Sequence, residues 1–329
     1  MDLRQLSALV AIADHGSFSA AAESLQTVQS NVSAHVKKLE RELGAELVDR
    51  GTGTLTEAGE LVVARARRVQ GELDSLLSDL IALNHDVAGT VRIGIIGTTA
   101  RWLVPQLLGV APQRFPQLQL IFVESTTTRL DTQLATGQVD LAVLNLPASG
   151  TELSVTALFE EELVLVVPVD HPLAGKGEIS VRALAGVPLL LPLSGTSFRD
   201  ELDAAIAPSG VVLTSSAEVD GTRLIATLTF EGWGPAILPA TAVPSYLRDR
   251  WALVKVTEIP PRLIGVVQRP RGLPSAPARA VLDLLTEIVF DPSRTPEGLT
   301  PVPPDRGRAS PPHVVEVTRA PEGRAAHAT

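Results

Sequence analysis

The chain has 329 residues, 45% of them hydrophobic, and a mean hydropathy of +0.21, enough to bury more than one core in two or three domains. Its net charge of -9 and pI near 5.2 exclude a protein that coats nucleic acid through counterion release alone, so any DNA contact must be local and oriented. Cysteine is absent, which excludes disulfides, zinc-finger ligands and thiol catalysis.

The N-terminal MDLRQLSALVAIADHGSF places Asp2 and Asp14 around a short amphipathic pattern and lacks the apolar run and small-residue cleavage site of a signal peptide. No stretch reaches the length of a membrane span, so a cytoplasmic protein without a membrane partner is expected. Residues 17–43, SFSAAAESLQTVQSNVSAHVKKLEREL, read as two short helices joined by a tight connection. Ser17 or Ser19 can cap the first, whose Ala20-Ala21-Ala22 run allows close approach of another helix. In the second, Val32, Val36, Leu39 and Leu43 form one stripe to be buried, while Ser30, Ala34, Lys37 and Arg41 point the other way, flanked by Ser33 and Lys38. A face that is small near its start and cationic further on can enter a major groove, offer hydroxyl and amide groups to base edges and set charge against phosphates. The same local pattern also fits an ordinary αα-hairpin.

The stretch from LRQLSALVAIADHGSFSAAAESL through HVKKLERELGAELVDR to LTEAGELVVARARRV resembles the N-terminal domain of LysR-type transcriptional regulators, over residues up to about 70. The resemblance implies a recognition helix over Gln29–Leu43 and a wing over Arg50–Leu55. It makes Gln29, Ser30, Asn31, Ser33, Ala34, Lys37, Lys38 and Arg50 the candidate contacts to double-stranded DNA. Two departures stand out. Val28-Gln29-Ser30-Asn31-Val32-Ser33 replaces the family's Ser-Gln-Pro-Ala-Val-Ser, so Thr27 is expected to supply the cap that Val28 cannot. Ala34 stands where the family often has arginine, and the wing Gly51-Thr52-Gly53-Thr54 is uncharged, which leaves Arg50 as its cation. His35 falls toward the buried edge and is expected to pack or bond locally rather than read bases.

Val62, Ala66, Val69, Leu73, Leu76, Leu80 and Leu83 repeat at alternating spacings of four and three, a heptad seam that predicts a helix over about 57–84, about 40 Å long. Its seam favours pairing with a second copy, which would also fix the separation of two recognition helices; the resemblance assigns this segment as the dimerising linker helix. His85-Asp86-Val87-Ala88-Gly89 is expected to break it.

From Thr90 onward, strand-like runs at 91–96, 118–124, 139–145, 162–169, 187–192, 211–219, 235–239, 251–257 and 262–269 alternate with helical patterns near 101–114, 126–136, 197–207 and 222–231. The alternation calls for parallel sheets covered by helices. The run at 162–169 and the later pair at 251–257 and 262–269 read as crossovers between two lobes. This resembles the effector domain of the same family, itself similar to periplasmic solute-binding proteins. The tail from Asp291, with eight prolines, is expected to form no packed element.

In open α/β sheets ligands sit at the carboxyl ends of strands, where helix N-termini direct free N–H groups into the crevice. Three such ends carry hydroxyls: Thr98 and Thr99; Ser125, Thr126, Thr127 and Thr128; and Ser194, Gly195 and Thr196 followed by Ser197. Each hydroxyl also reads as an ordinary helix cap; at Thr98-Thr99 the family places inducer contacts. Arg101 and Trp102 are expected to add a countercharge and an apolar wall, and Trp233 either lines the cleft or packs beneath it. Six histidines show no metal-ligand spacing, and no nucleophile elbow, dinucleotide turn or phosphate loop is present, so no catalytic, metal or cofactor residues are assigned.

The expected architecture is α/β with an N-terminal all-α winged helix-turn-helix domain (1–56), a linker helix for dimerisation (57–86), a two-lobed doubly wound effector domain (90–290) and a tail (291–329). Lobe one would span about 90–162 and 266–290, lobe two about 163–265. The expected function is a LysR-type regulator, not an enzyme, controlled by a small polar effector more readily anionic than cationic. Its expected partners are double-stranded DNA, a second copy through the linker helix, a tetramer as is common in the family, and RNA polymerase. The alternative readings are a cytoplasmic metabolite-binding protein without transcriptional activity and an α/β enzyme.

Overall fold

The computed structural model describes residues 1–83, 87–148, 153–269 and 274–303, so the helix break at His85-Asp86 and the tail beyond 303 lie outside the described residues. Three α-helices open the chain: α1 (Leu3–His15), α2 (Phe18–Ser24) and α3 (Gln29–Leu43). A capping box starts α1, with the Asp2 carboxylate accepting from the Gln5 N–H at 3.0 Å and the Gln5 side chain accepting from the Asp2 N–H at 2.8 Å. Ser17 caps α2 by accepting from the Ala20 N–H. Leu9, Ile12, Ala21, Val32, Val36 and Leu39 meet in one core, where Ala21 lets α1 and α2 close on each other.

The stripe on α3 is shorter than its periodicity predicts. Val32, Val36 and Leu39 are fully buried, but Leu43 is 42% exposed, because it follows the last turn that the core covers and the chain reverses at Gly44. Thr27 does not cap the helix either. Its hydroxyl accepts from the Asn31 side chain at 3.0 Å, and Val28, the capping position, supplies no side-chain bond.

After the Val48–Leu55 bridge of the wing comes α4 (Glu57–Ala82), capped by Thr56. Its start presses onto the wing so closely that a Cβ at Gly59 would lie 2.0 Å from the Leu47 carbonyl oxygen, which makes glycine a requirement there. The heptad stripe then divides. Ala66 is buried against the N-terminal core with Val63, a residue outside the stripe, while Val62 is half-buried; Val69, Leu73, Leu76, Leu80 and Leu83 are exposed. The far end of α4 caps another helix: Asp79 accepts from the Ala276 N–H at 2.7 Å.

The remainder forms two lobes. In lobe one β1 (Ala88–Ile95), α5 (Gly97–Arg114), β2 (Gln117–Glu124), α6 (Thr127–Ala135), β3 (Leu141–Asn145) and β4 (Ser154–Glu161) are followed, much later, by β11 (Arg262–Gln268), α9 (Ala276–Phe290) and β12 (Leu299–Pro301). The strand order is β12-β4-β11-β3-β1-β2. Lobe two contains β5 (Leu163–Pro168), β6 (Glu178–Ile179), β7 (Pro188–Pro192), α7 (Ser197–Ile206), β8 (Thr214–Val219), α8 (Thr222–Phe230), β9 (Ala236–Pro239) and β10 (Trp251–Val256). Its order is β6-β10-β5-β9, and one backbone bond, from the Leu190 N–H to the Pro235 carbonyl, ties on the parallel pair β7-β8. β5 reads as an unbroken apolar run because both of its faces are covered: Leu163, Leu165 and Val167 enter one core, Val164 and Val166 the other.

The sheets are mixed rather than parallel. β11 runs antiparallel to β3 and β4, and β5 antiparallel to β9 and β10, because these strands enter from the other lobe instead of through a covering helix. β11 pairs from Arg262 onward, four residues ahead of the expected return to lobe one. The tail expectation also needs correcting for 291–303. Leu299–Pro301 form an edge strand on β4, and the Trp102 indole N–H donates to the Arg294 carbonyl at 2.9 Å. Proline is tolerated there because its missing N–H is on an edge strand.

Candidate functional site

Residues 1–60 carry nine carboxylates against five Lys or Arg side chains, so cation placement decides whether this end can meet a polyanion. Three of the five, Lys37, Lys38 and Arg41, are exposed on α3. Gln29, Ser30, Asn31 and Ala34 are exposed as well, and Ser33 and His35 are half-buried. With no side-chain cap, the α3 start leaves first-turn N–H groups available to an anion. The resulting surface runs from free amides and small polar groups at the helix start to ammonium and guanidinium groups one and two turns on.

Arg50 is engaged by the protein itself. Its Nη2 donates to Glu40 at 2.5 Å, and its guanidinium lies 5.6 Å from the centre of the Phe18 ring. Glu40 also accepts from the Leu47 N–H at 2.9 Å, so it staples α3 to the wing strand. The wing turn is closed by Asp49, which accepts from the N–H groups of Gly51 and Thr52; these bonds hold its carboxyl below the usual range. Arg50 therefore orients the wing through Glu40.

The second site lies where the lobes meet. Glu161, at the end of β4, is fully buried. One of its oxygens accepts from Arg262 Nε at 2.8 Å and Nη2 at 2.7 Å, and the other from the Thr241 N–H at 2.9 Å. Arg262 Nη2 also donates to Thr98 Oγ1 at 2.9 Å. A buried ion pair costs solvation unless its lone pairs and protons are matched, and here four groups from both lobes match them at the crossover. Thr98 accepts from Arg262, so its own hydroxyl hydrogen remains to donate. Thr99, wholly buried beside it, has no bonding partner for Oγ1 among the described residues. Asn145 Oδ1, at the end of β3, is likewise buried without one. Glu201 of α7 has its carboxyl pushed up, first by burial; Arg262 opposes that shift.

The other sequence candidates separate by structure. Ser194 donates to Glu218, Thr196 caps α7 by accepting from the Arg199 N–H, and Gly195 makes their turn with φ +82°. These are structural bonds. At the start of α6 Ser125 and Thr127 are half-buried, Thr126 and Thr128 are exposed, and Thr126 forms no side-chain cap. Arg101 does not stand as a free countercharge: its Nη1 donates to the Ala242 carbonyl at 3.0 Å, joining α5 to lobe two. Trp102 is not a cleft wall. It packs edge-on against Phe159 at 5.4 Å within the lobe-one core. Trp233 neither packs beneath the sheet nor is covered, being 70% exposed.

Sequence reasoning missed Glu161, Glu201, Thr241 and Arg262. The available signal was the Glu160-Glu161-Glu162 run between two apolar strands, where carboxylates are out of place unless the chain changes lobe. A crevice of about 1080 Å³ lies elsewhere, among α1, α4 and the start of β1. Its charged lining of Asp14, Asp74, Asp140, Arg67, Arg92 and Arg269 is balanced, so it favours neither ion sign.

Residues 3–60 match the sequence model of the bacterial regulatory helix-turn-helix protein, lysR family, and residues 84–289 match the LysR substrate binding domain. The DNA-binding transcriptional dual regulator OxyR of Escherichia coli is 31% identical over 294 residues, 88% of this chain and 95% of its own. A full-length OxyR variant from Pseudomonas aeruginosa superposes with a TM-score of 0.71 at 26% identity, covering 92% of this chain and 99% of that one. An OxyR variant of Corynebacterium glutamicum with hydrogen peroxide bound gives a TM-score of 0.55 at 27% identity, covering 87% and 92%. With its exposed cationic helix at one end and its two lobes joined at a buried crossover, the chain belongs to the LysR family and is a LysR-type transcriptional regulator with an effector-binding domain.

Proposed function

We propose that α3 enters the major groove with Gln29, Ser30, Asn31, Ser33 and Ala34 at the bases and Lys37 and Lys38 at the phosphates, and that a small polar effector bound between the lobes controls the output. The observation that carries the DNA assignment is the concentration of exposed cations on α3, opposite Val32, Val36 and Leu39, in a chain of net charge -9. Arg50 acts at one remove, by fixing the wing. The exposed stripe of Val69, Leu73, Leu76 and Leu80 supports dimerisation through α4, since a row of leucines at heptad spacing is stable only when covered. A tetramer and contact with RNA polymerase complete the assembly we infer. Among the described residues no helix is long and apolar enough to cross a membrane, and we place the protein in the cytoplasm, where its DNA would be.

The effector reading differs from that of the peroxide-responsive relatives. With no cysteine anywhere in the chain, a thiol cannot be its sensing group. Noncovalent capture at Thr98, Thr99 and the α5 N-terminus is the alternative that the cleft supports, and its free N–H groups and hydroxyl donors suit an anionic oxygen. A mobility-shift titration with the DNA upstream of the protein's own gene, with and without hydrogen peroxide, tests both halves. Specific retardation unchanged by peroxide is the expected result; no retardation refutes the first half, and a peroxide-dependent shift the second.

A further inference from the structure

The contacts between the lobes differ in exposure. Glu161 of lobe one, accepting from the Thr241 N–H of lobe two, is buried, and Arg101 on the Ala242 carbonyl is half-buried. Another joins Glu124, the last residue of β2 in lobe one, to Arg223 in the first turn of α8 in lobe two, and leaves 42% and 58% of these side chains exposed. An ion pair that wet contributes little to stability, so a ligand can displace it.

Its position gives it a use. A Cβ on Gly97 would lie 2.7 Å from Glu124 Oε1 and 2.9 Å from Arg223 Cδ, so the pair rests directly on the first residue of α5. That helix has 18 residues, and Ile96 before it supplies no side-chain cap. Glu124 thus holds its carboxylate at the positive end of a long helix, while among the described residues its hydrogen bond comes from Arg223 rather than from the helix. In the same first turn the Thr99 hydroxyl is wholly buried and without a partner among the described residues. The geometry therefore combines an occupied anion position, a cation from the opposite lobe and an unsatisfied hydroxyl.

We propose that Glu124 is a built-in competitor for the effector's anionic group, and that Arg223 is the residue that reads that group. A ligand carboxylate or phosphate takes the place of the Glu124 carboxylate over Gly97, accepts from Arg223 and from the α5 N–H groups, and Glu124 turns out into water. The inference rests on the proposal that the effector binds in this cleft. It adds a cause of specificity: neutral and cationic molecules cannot displace Glu124 from Arg223, and anions can. Because Arg223 belongs to lobe two and Glu124 to lobe one, the exchange also replaces a contact within the protein by one through the ligand, which makes lobe arrangement depend on occupancy.

The test uses the full chain and two probes, sodium acetate and inorganic phosphate, titrated at constant ionic strength in calorimetry. Glu124→Gln should bind at least one anion about three- to fivefold more tightly than the wild type, the range expected for removing an exposed charged competitor. Arg223→Gln should bind it at least fivefold more weakly. Arg114→Gln, which breaks a comparably exposed pair with Glu287 within lobe one, should change nothing. Preference for acetate or phosphate identifies the kind of anionic group. The proposal is overturned if Glu124→Gln binds neither anion, or binds no tighter than the wild type, or if Arg223→Gln binds equally well. Thr99→Val separates the two levels: if it weakens the anion while Glu124→Gln does not strengthen it, the cleft reading stands and the competitor does not.

Discussion

On α3 the groups assigned to DNA lie within ten consecutive residues and are largely exposed, with the Asn31 amide donating to the Thr27 hydroxyl beside them. At the crossover the polar groups of Thr98, Glu161, Thr241 and Arg262 are buried and bonded to one another. The first surface is thus replaceable residue by residue at little cost in stability, whereas the second is part of the core. A regulator needs both kinds. In the proposed reading the exposed face releases and rebinds a polyanion, and the crossover holds two lobes in register while a ligand enters beside it.

The largest effect should come from splitting the buried pair. Arg262→Met leaves Glu161 charged in the core and should cost about 3–5 kcal/mol, whereas Glu161→Met combined with Arg262→Met should recover much of that loss. Urea midpoints of the three proteins measure it. A single variant as stable as the wild type would mean that water reaches Glu161 and that the contrast in burial is not functional.

A smaller change in stability, but a large one in assembly, is expected along α4. Placing Asp at both Leu73 and Leu76 would desolvate two charges in any paired interface and should yield monomers in sedimentation, with weaker binding to a two-half-site duplex. Sedimentation at the wild-type mass would show that the exposed stripe is covered in another way. The smallest effect is expected at Thr99→Val. It removes a buried hydroxyl that has no partner among the described residues, so thermal stability should stay level or rise by about 1 kcal/mol, while anion binding in the cleft weakens. A marked loss of stability would make Thr99 a packing residue.

Features set by local period were legible in the sequence. Val32, Val36 and Leu39 announced the buried side of α3 and hence its exposed one, and the leucines of α4 announced an unpaired stripe. The alternation of apolar runs gave the two lobes. Strand direction was not legible, because β11 and β5 differ from parallel strands only in what precedes them. Leu43 and Trp102 show the limits of period and type: each has the side chain expected for its role, and neighbours far along the chain decide otherwise. The Glu161–Arg262 pair spans 101 residues, and nothing in either local sequence names the other. Pro301 in β12 misled composition reasoning, since an edge strand does not need the N–H that proline lacks.

The central claim, that an acidic chain meets DNA through one oriented cationic face, is tested most directly by the salt dependence of binding. Dissociation constants should be measured for the DNA upstream of the protein's own gene and for a scrambled duplex, with the wild type and with Lys37→Ala/Lys38→Ala. The double variant should bind both duplexes more weakly and lower the slope of log K against log salt by up to about two units, the loss of two phosphate contacts. An unchanged slope and an unchanged affinity would contradict the assignment of this face.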